Sequence, residues 1–287
     1  MNRKPIASGT FYESTFDKLE KQIASCFIHK LGPGDLPVKR TNKKVLSIIT
    51  PHAGYFYSGP CMAWAYKEIA ESKFPKTYII ISPNHTGLGA EFSTYLFADW
   101  ETPLGIIKID KDLGNKLIKK FPDLTNEAEA HLQEHSIEVQ LPFLQFASKD
   151  NLNKLKFLPI CISSNNYEKL IKLGKILSEF ENIVLICSSD FTHYGPNYNF
   201  TPFLHSKKEN LYNLDSKAIS YIKKLNSKEF FEFSKKTTIC GKSPITTTIE
   251  FAKSKKSKKV SLLSYYTSGD IINNYENAVG YASIAFK

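Results

Sequence analysis

Arginine is nearly absent from this chain: of 38 basic residues only Arg3 and Arg40 carry a guanidinium, although the formal charge is +10. Base edges and phosphates are read largely by the planar arginine fork, so a lysine excess of this kind argues against a nucleic-acid-reading surface. The densest basic run, Lys253 to Lys259, reads as a solvated loop between a helical pattern and a strand. Paired cysteines are missing as well. The five cysteines, at positions 26, 61, 161, 187 and 240, form no CxxC pair and are odd in number, which argues against a disulfide framework and for a reducing cytoplasm. Met1 to Glu20 carries charges throughout and lacks the apolar core of a secretion signal. Apolar runs stay strand-sized, so no membrane span is expected. No low-complexity linker divides the chain, and 42% hydrophobic with 23% charged residues suits a single folded domain over residues 1–287.

What the sequence does contain is a recurring design. Val45 to Tyr55 reads VLSIITPHAGY, a buried-type apolar run that stops at Pro51 and delivers His52. Thr77 to Gly87 (TYIIISPNHTG) delivers His85 in the same way, and Ile183 to Gly195 (IVLICSSDFTHYG) delivers Asp190 and His193. In open α/β sheets ligands bind beyond the carboxyl ends of the strands, so these histidines could converge on one site. Between the strands the spacing predicts helices. Ser14 is placed to cap a helix with the stripe Phe16, Leu19, Ile23 and Phe27, and Gly59-Pro60 to open a helix running through Ala70. Further helices are expected over 110–120, around 128–141 with a stop near Pro142, over 167–180 and over 205–224, with Ser227 capping the next. Strand-like pieces fall at 95–98, 105–109, 155–162, 260–266 and 278–286. Strands alternating with helices predict a three-layer α/β domain, a mostly parallel or mixed sheet with helices on both faces.

The residues able to carry chemistry sit at the ends of these elements. His52 and His85 each follow a proline within two residues and follow strands that could be neighbours, so they read as metal ligands or as satisfied histidines in polar turns. Asp190, three residues before His193, could hold its tautomer so that the other ring nitrogen works as acid or base. The alternative makes Asp190 a helix cap beside a surface histidine. Cys240 lies in TTICGKSP, whose Gly-Lys-Ser does not complete a phosphate-binding loop, because Lys236 stands where that motif needs glycine. At a helix start a cysteine has a lowered pKa, which suits a thiolate ligand or nucleophile; a small buried residue is the plainer reading. His131, Glu134 and His135 match H-x-x-E-H, in which two histidines one helical turn apart bind zinc and the glutamate acts as base.

Taken together, the chain resembles the Memo family, whose fold is related to the class III extradiol dioxygenases. The matching segments are ASGTFYES, TPHAGYFYSGP, SPNH, EHSIEVQLPFL, SSDFTHYG, TTICGKSPI and VGYASIAF, spread in order from Ala7 to Phe286. The resemblance implies that His52, His85 and Cys240 bind iron or copper in place of the two histidines and one carboxylate of the dioxygenases. It also implies that Asp190 and His193 line the same pocket, with His193 at the position of an acid/base histidine, and that His135 belongs to the family's EHS segment. A thiolate is softer than a carboxylate, favours copper(I) or zinc and is itself oxidisable, so ring cleavage is not expected to carry over.

Three readings follow. The first is a metal-dependent oxidoreductase using His52, His85 and Cys240, with His193, Asp190 and His135 as acid/base or supporting groups. The second is a non-enzymatic module whose pocket takes a peptide or small anion. The third is a zinc hydrolase built on His131, Glu134 and His135.

Overall fold

A computed structural model describes residues 2–287. The strands are β1 (Ser47–Thr50), β2 (Thr77–Pro83), β3 (Phe92–Thr94), β4 (Trp100–Thr102), β5 (Gly105–Ile109), β6 (Leu124–Asn126), β7 (Lys156–Ile162), β8 (Ile183–Ser188), β9 (His193–Tyr194), β10 (Val260–Thr267) and β11 (Ala278–Phe286). The α-helices are α1 (Phe16–Ile28), α2 (Tyr55–Ala70), α3 (Lys111–Lys120), α4 (Glu129–Leu132), α5 (Gln140–Ala147), α6 (Tyr167–Ser178), α7 (Lys207–Lys223), α8 (Ser227–Ser234), α9 (Lys242–Ser254) and α10 (Ser268–Ile272).

All the strands join one mixed sheet whose main order is β10-β11-β1-β8-β2-β7-β3-β6. At its centre β1, β8, β2 and β7 run parallel, with Ile48 opposite Ile186 and Ile79 opposite Leu185. A parallel strand covered on both faces has no solvent side to supply, which is why these segments are continuous apolar runs rather than alternating ones. Every residue of β1, β2 and β11 is buried. One group of helices forms around α2, which packs on β1 and β11 and carries α1 and α5; α9 packs on β1, β8 and β2 with α6 and α8 beyond it. Aromatic rings seal the first group, Tyr66 stacking on Phe143 at 5.3 Å and Tyr55 meeting the same ring at 4.9 Å. The α/β class with flanking helices is therefore the one the sequence predicts.

Several local expectations need correction. β1 and β2 are not neighbours, because β8 lies between them. The helix expected over 128–141 is two pieces, α4 and α5, separated by a turn at 133–139. Pro142 does not stop a helix; it is the third residue of α5, where a backbone N–H has no intrahelical partner to lose. Helix α2 begins at Tyr55, not at Gly59, and keeps Pro60 inside it. Thr15, not Ser14, is the N-cap of α1 and makes no side-chain cap bond, while Phe16 is 52% exposed instead of packed. Asn226 caps α8 in place of Ser227, its side chain accepting from Glu229 N–H. The strand expected at 95–98 lies a few residues upstream, at Phe92–Thr94. No helix among the described residues is long and apolar enough to cross a membrane.

Candidate functional site

Three parallel strands end side by side, and the loops that leave them meet. β1 hands over to Pro51 and His52, β8 to Ser189 and Asp190, β2 to Asn84 and His85. They border a cavity of about 590 Å³ lined by His52, His85, His135, Asp190 and His193, with Phe11, Tyr57 and Tyr198 among its walls. The histidine rings nearly touch: His52 and His85 centroids are 5.2 Å apart, and His135 stacks on His85 at 5.1 Å.

Three of the four imidazoles are held by Nδ1. His52 Nδ1 lies 2.9 Å from Ser188 Oγ, and the His52 N–H donates to Asp190 Oδ1 at 2.8 Å. His85 Nδ1 lies 3.0 Å from Glu134 Oε1. His193 Nδ1 is 3.1 Å from the Thr238 carbonyl, which can only accept, so that nitrogen carries the proton and Nε2 presents a lone pair. Cys240 comes from the turn before α9, and its Sγ sits 3.3 Å from His52 Nε2. The turn can approach because residue 241 is glycine: a Cβ there would fall 2.3 Å from the Ser189 side chain. The ligand atoms of His52, His85 and Cys240 all lie within 4.8 Å of one another, as do those of His85, Glu134 and His135.

Electrostatics separates these groups. Burial drives His52 well below the ordinary imidazole range, helped by the neighbouring His85, His135 and His193. His85 is raised: burial opposes its charged form, but the Glu134 carboxylate outweighs that. Glu134 would be pushed up by burial, yet the hydrogen bond and charge of His85 hold it down at about 2. Burial lifts Asp190 above the usual carboxylate range, opposed by His193. The thiol of Cys240 is pushed up, not lowered as its place before a helix suggested, because burial and the Asp190 carboxylate outweigh the helix end.

His131 is elsewhere. It is fully buried, with Nε2 3.0 Å from Ser93 Oγ and Nδ1 3.7 Å from Cys161 Sγ, and it takes no part in either group of neighbouring ligand atoms. The H-x-x-E-H match fails because α4 ends at Leu132, so Glu134 and His135 leave the helix face that holds His131. The sequence reading does not single out Ser188, Gln140, Thr238 or Phe11. Ser188 has a visible signal, as the polar residue closing an otherwise apolar strand; the other three lie inside the segments that resemble the Memo family but break no local pattern of their own.

A family profile described as Memo-like protein matches residues 3–285. This chain belongs to the Memo family. Its Memo relatives include a MEMO1 family protein of Methanopyrus kandleri, 37% identical over all of this chain and 99% of that one. Another, from Methanococcus maripaludis strain C6, is 40% identical with both chains fully covered. A third, from Methanocaldococcus jannaschii, is 39% identical over 98% of this chain and 97% of the relative. Among solved structures, an uncharacterized protein from Escherichia coli K12 covers 85% of this Memo chain and 100% of its own at a TM-score of 0.54. Its 11% identity speaks to the fold alone.

Proposed function

We propose that this Memo-family chain is a metal-binding protein acting in redox chemistry, holding iron or copper, with zinc as the further option, through His52, His85 and Cys240. The observation that supports it is the donor set. Two imidazoles and a thiol converge within 4.8 Å, and each ring spends Nδ1 on a hydrogen bond, so that His85 Nε2 is left free and His52 Nε2 faces the Cys240 sulfur at 3.3 Å. Imidazole and sulfur donors suit iron, copper or zinc and do not suit magnesium or calcium, so the residues present fit the group. When bound, such a metal would supply one-electron chemistry and a Lewis-acidic centre.

The protein's own groups divide the remaining work. His193 offers a lone pair on Nε2 at the cavity wall and can accept a proton from a bound molecule. Asp190 fixes the backbone of His52. His135 packs between His85 and Phe11, whose ring lies 4.6 Å away, and closes that side of the cavity. No lysine or arginine among the described residues lines the cavity, and both arginines pair with carboxylates elsewhere, Arg3 with Glu138 and Arg40 with Asp150. An anion or phosphorylated peptide would find no lysine or arginine clamp there, which favours an uncharged small molecule as ligand over the binding-module reading. The hydrolase reading loses His131 and is not carried further.

The experiment is metal analysis of protein purified without chelator or affinity-tag metal. Stoichiometric iron or copper is expected in the wild type and its loss in Cys240→Ala. A metal-free wild type, or a metal content unchanged in Cys240→Ala, would overturn the reading.

A further inference from the structure

Both proposed histidine ligands are oriented by one short stretch of chain, the turn that leads from α4 into α5. Glu134 accepts from the backbone N–H of His85 and from Ser136 N–H, and it faces His85 Nδ1 at 3.0 Å. Because the carboxylate is ionised, Nδ1 must be the donor, and in the neutral ring His85 Nε2 is left bare. Two residues on, the Ser136 carbonyl accepts from the Ser188 hydroxyl at 2.7 Å. That hydroxyl has a single proton and has given it away, so toward His52 Nδ1, 2.9 Å off, it can only accept. Gln140 Nε2 donates to the same hydroxyl at 2.8 Å and to the Pro51 carbonyl at 2.8 Å, holding the oxygen against β1. His52 therefore also carries its proton on Nδ1 and turns a bare Nε2 to Cys240.

From this we infer that residues 134–140 form one positioning element that sets the tautomers of both His52 and His85, with Glu134 and Gln140 as positioning residues. The inference rests on the metal reading above for its purpose. Ring N–H groups of metal-bound histidines commonly donate to carboxylates or hydroxyls in this manner, fixing ring orientation and raising ligand basicity. The element is itself anchored: Arg3 Nη2 donates to the Glu134 carbonyl at 2.9 Å, and Ser136 Oγ to the carbonyl of Pro83 at 3.3 Å. The competing use of the same residues, a second cation held by His85, Glu134 and His135, conflicts with this geometry. His85 Nδ1 cannot donate a proton to Glu134 and offer a lone pair to a cation at once, and the Glu134 oxygens already accept three hydrogen bonds.

The test is a long-range proton–nitrogen correlation spectrum of the histidine rings in uniformly labelled, chelator-treated, full-length protein, together with anaerobic iron(II) titration. In the metal-free wild type both His52 and His85 are expected to carry the proton on Nδ1. Ser188→Ala is expected to move the His52 proton to Nε2, the tautomer that free imidazole prefers, and to leave His85 alone; Glu134→Ala is expected to do the reverse. Each variant should weaken iron(II) binding by about 10- to 100-fold. A neutral ring in the wild type that carries its proton on Nε2 and leaves Nδ1 bare overturns the inference even if a variant fails to fold, as does an unmoved tautomer in both folded variants. If the wild type shows both Nδ1 tautomers but binds no metal, the positioning element stands and the metal reading falls.

Discussion

Glu138 is the residue whose loss this fold should feel most sharply outside its hydrophobic core. Its carboxylate takes Arg3 Nη1 at 2.6 Å, with the two side chains 0% and 1% exposed, and it also accepts from Ile6 N–H, Ala7 N–H and the Tyr12 hydroxyl. Glu138→Ala leaves a buried guanidinium without its anion, a change that typically costs about 3–5 kcal/mol. Three further donors lose their acceptor, at roughly 1–3 kcal/mol apiece if they stay buried. These costs do not add, because the chain has an escape: residues 3–12 can peel away and let water take the donors. The free energy of peeling caps the total, so about 3–5 kcal/mol is the expected loss, a large share of the roughly 5–15 kcal/mol that a domain has. Glu138→Gln keeps one acceptor and should lose less. Urea denaturation measures the loss, and amide hydrogen exchange at Ile6 and Ala7 tests the route. Peeling also removes Phe11 from the cavity wall, so ligand affinity should fall with the same variant. Glu138→Ala unfolding within about 1 kcal/mol of wild type, with Ile6 and Ala7 still protected, would refute the argument.

Gly241→Ala should destabilise the protein by about 1–3 kcal/mol, since the new methyl falls 2.3 Å from the Ser189 Cβ and Oγ, which cannot swing aside; a melting temperature equal to wild type would count against the close packing of the Cys240 turn on β8. Asp215, fully buried beneath Gly280, is lifted to about 6 by burial against the hydrogen bonds of Thr192 and Tyr265. Its folded value lies above the ordinary 3.8, so the wild type holds this proton more tightly when folded and loses stability as pH rises from about 4 to about 6. The loss is on the order of 3 kcal/mol, at about 1.4 kcal/mol per tenfold change in proton affinity. Asp215→Asn should abolish that slope, and denaturation midpoints that differ from wild type by a constant amount between pH 4 and pH 7 would exclude it. His131→Ala should leave metal content unchanged while costing about 2–4 kcal/mol as a core truncation, and loss of metal from the folded variant would restore His131 to the site.

What is legible in the sequence is whatever depends on local pattern. The strands β1, β2, β8 and β11 are readable because a strand covered on both faces must be apolar throughout, and His52, His85 and Asp190 are readable because each breaks such a run. Pairing order is not local, so nothing in VLSIITPHAGY or TYIIISPNHTG reveals that β8 comes between them. The stretch 128–141 misleads for a different reason. Its residues have helical spacing, and Pro142 looks like a terminator, yet Glu134 finds three donors outside the helix and Pro142 fits the first turn of the next one. Tertiary hydrogen bonds outweigh propensity there, as they do wherever a buried carboxylate has a choice of partners.

The strand order also explains why the strand-end histidines, alike in the sequence, are unlike in the fold. β8 abuts β1 on one side and β2 on the other, so its terminal Ser188 and the following Asp190 reach His52 directly, one through the ring and one through the backbone. His52 is consequently enclosed, only 2% exposed. His85, at the end of β2 and two strands further from β11 than His52, gets no support from β8 and relies on Glu134 from the α4–α5 turn, with 35% of its side chain still open to the cavity. His193 belongs to β9, which pairs with β11, and it is held by the Thr238 carbonyl. Thus His52 sits closed in beside Cys240, His85 faces the cavity, and His193 lines the same cavity from β9 with its own lone pair. An incoming molecule would therefore meet His85 and His193 first, and substitutions at these two should alter ligand binding more than substitutions at His52, whose loss should act through the integrity of the site.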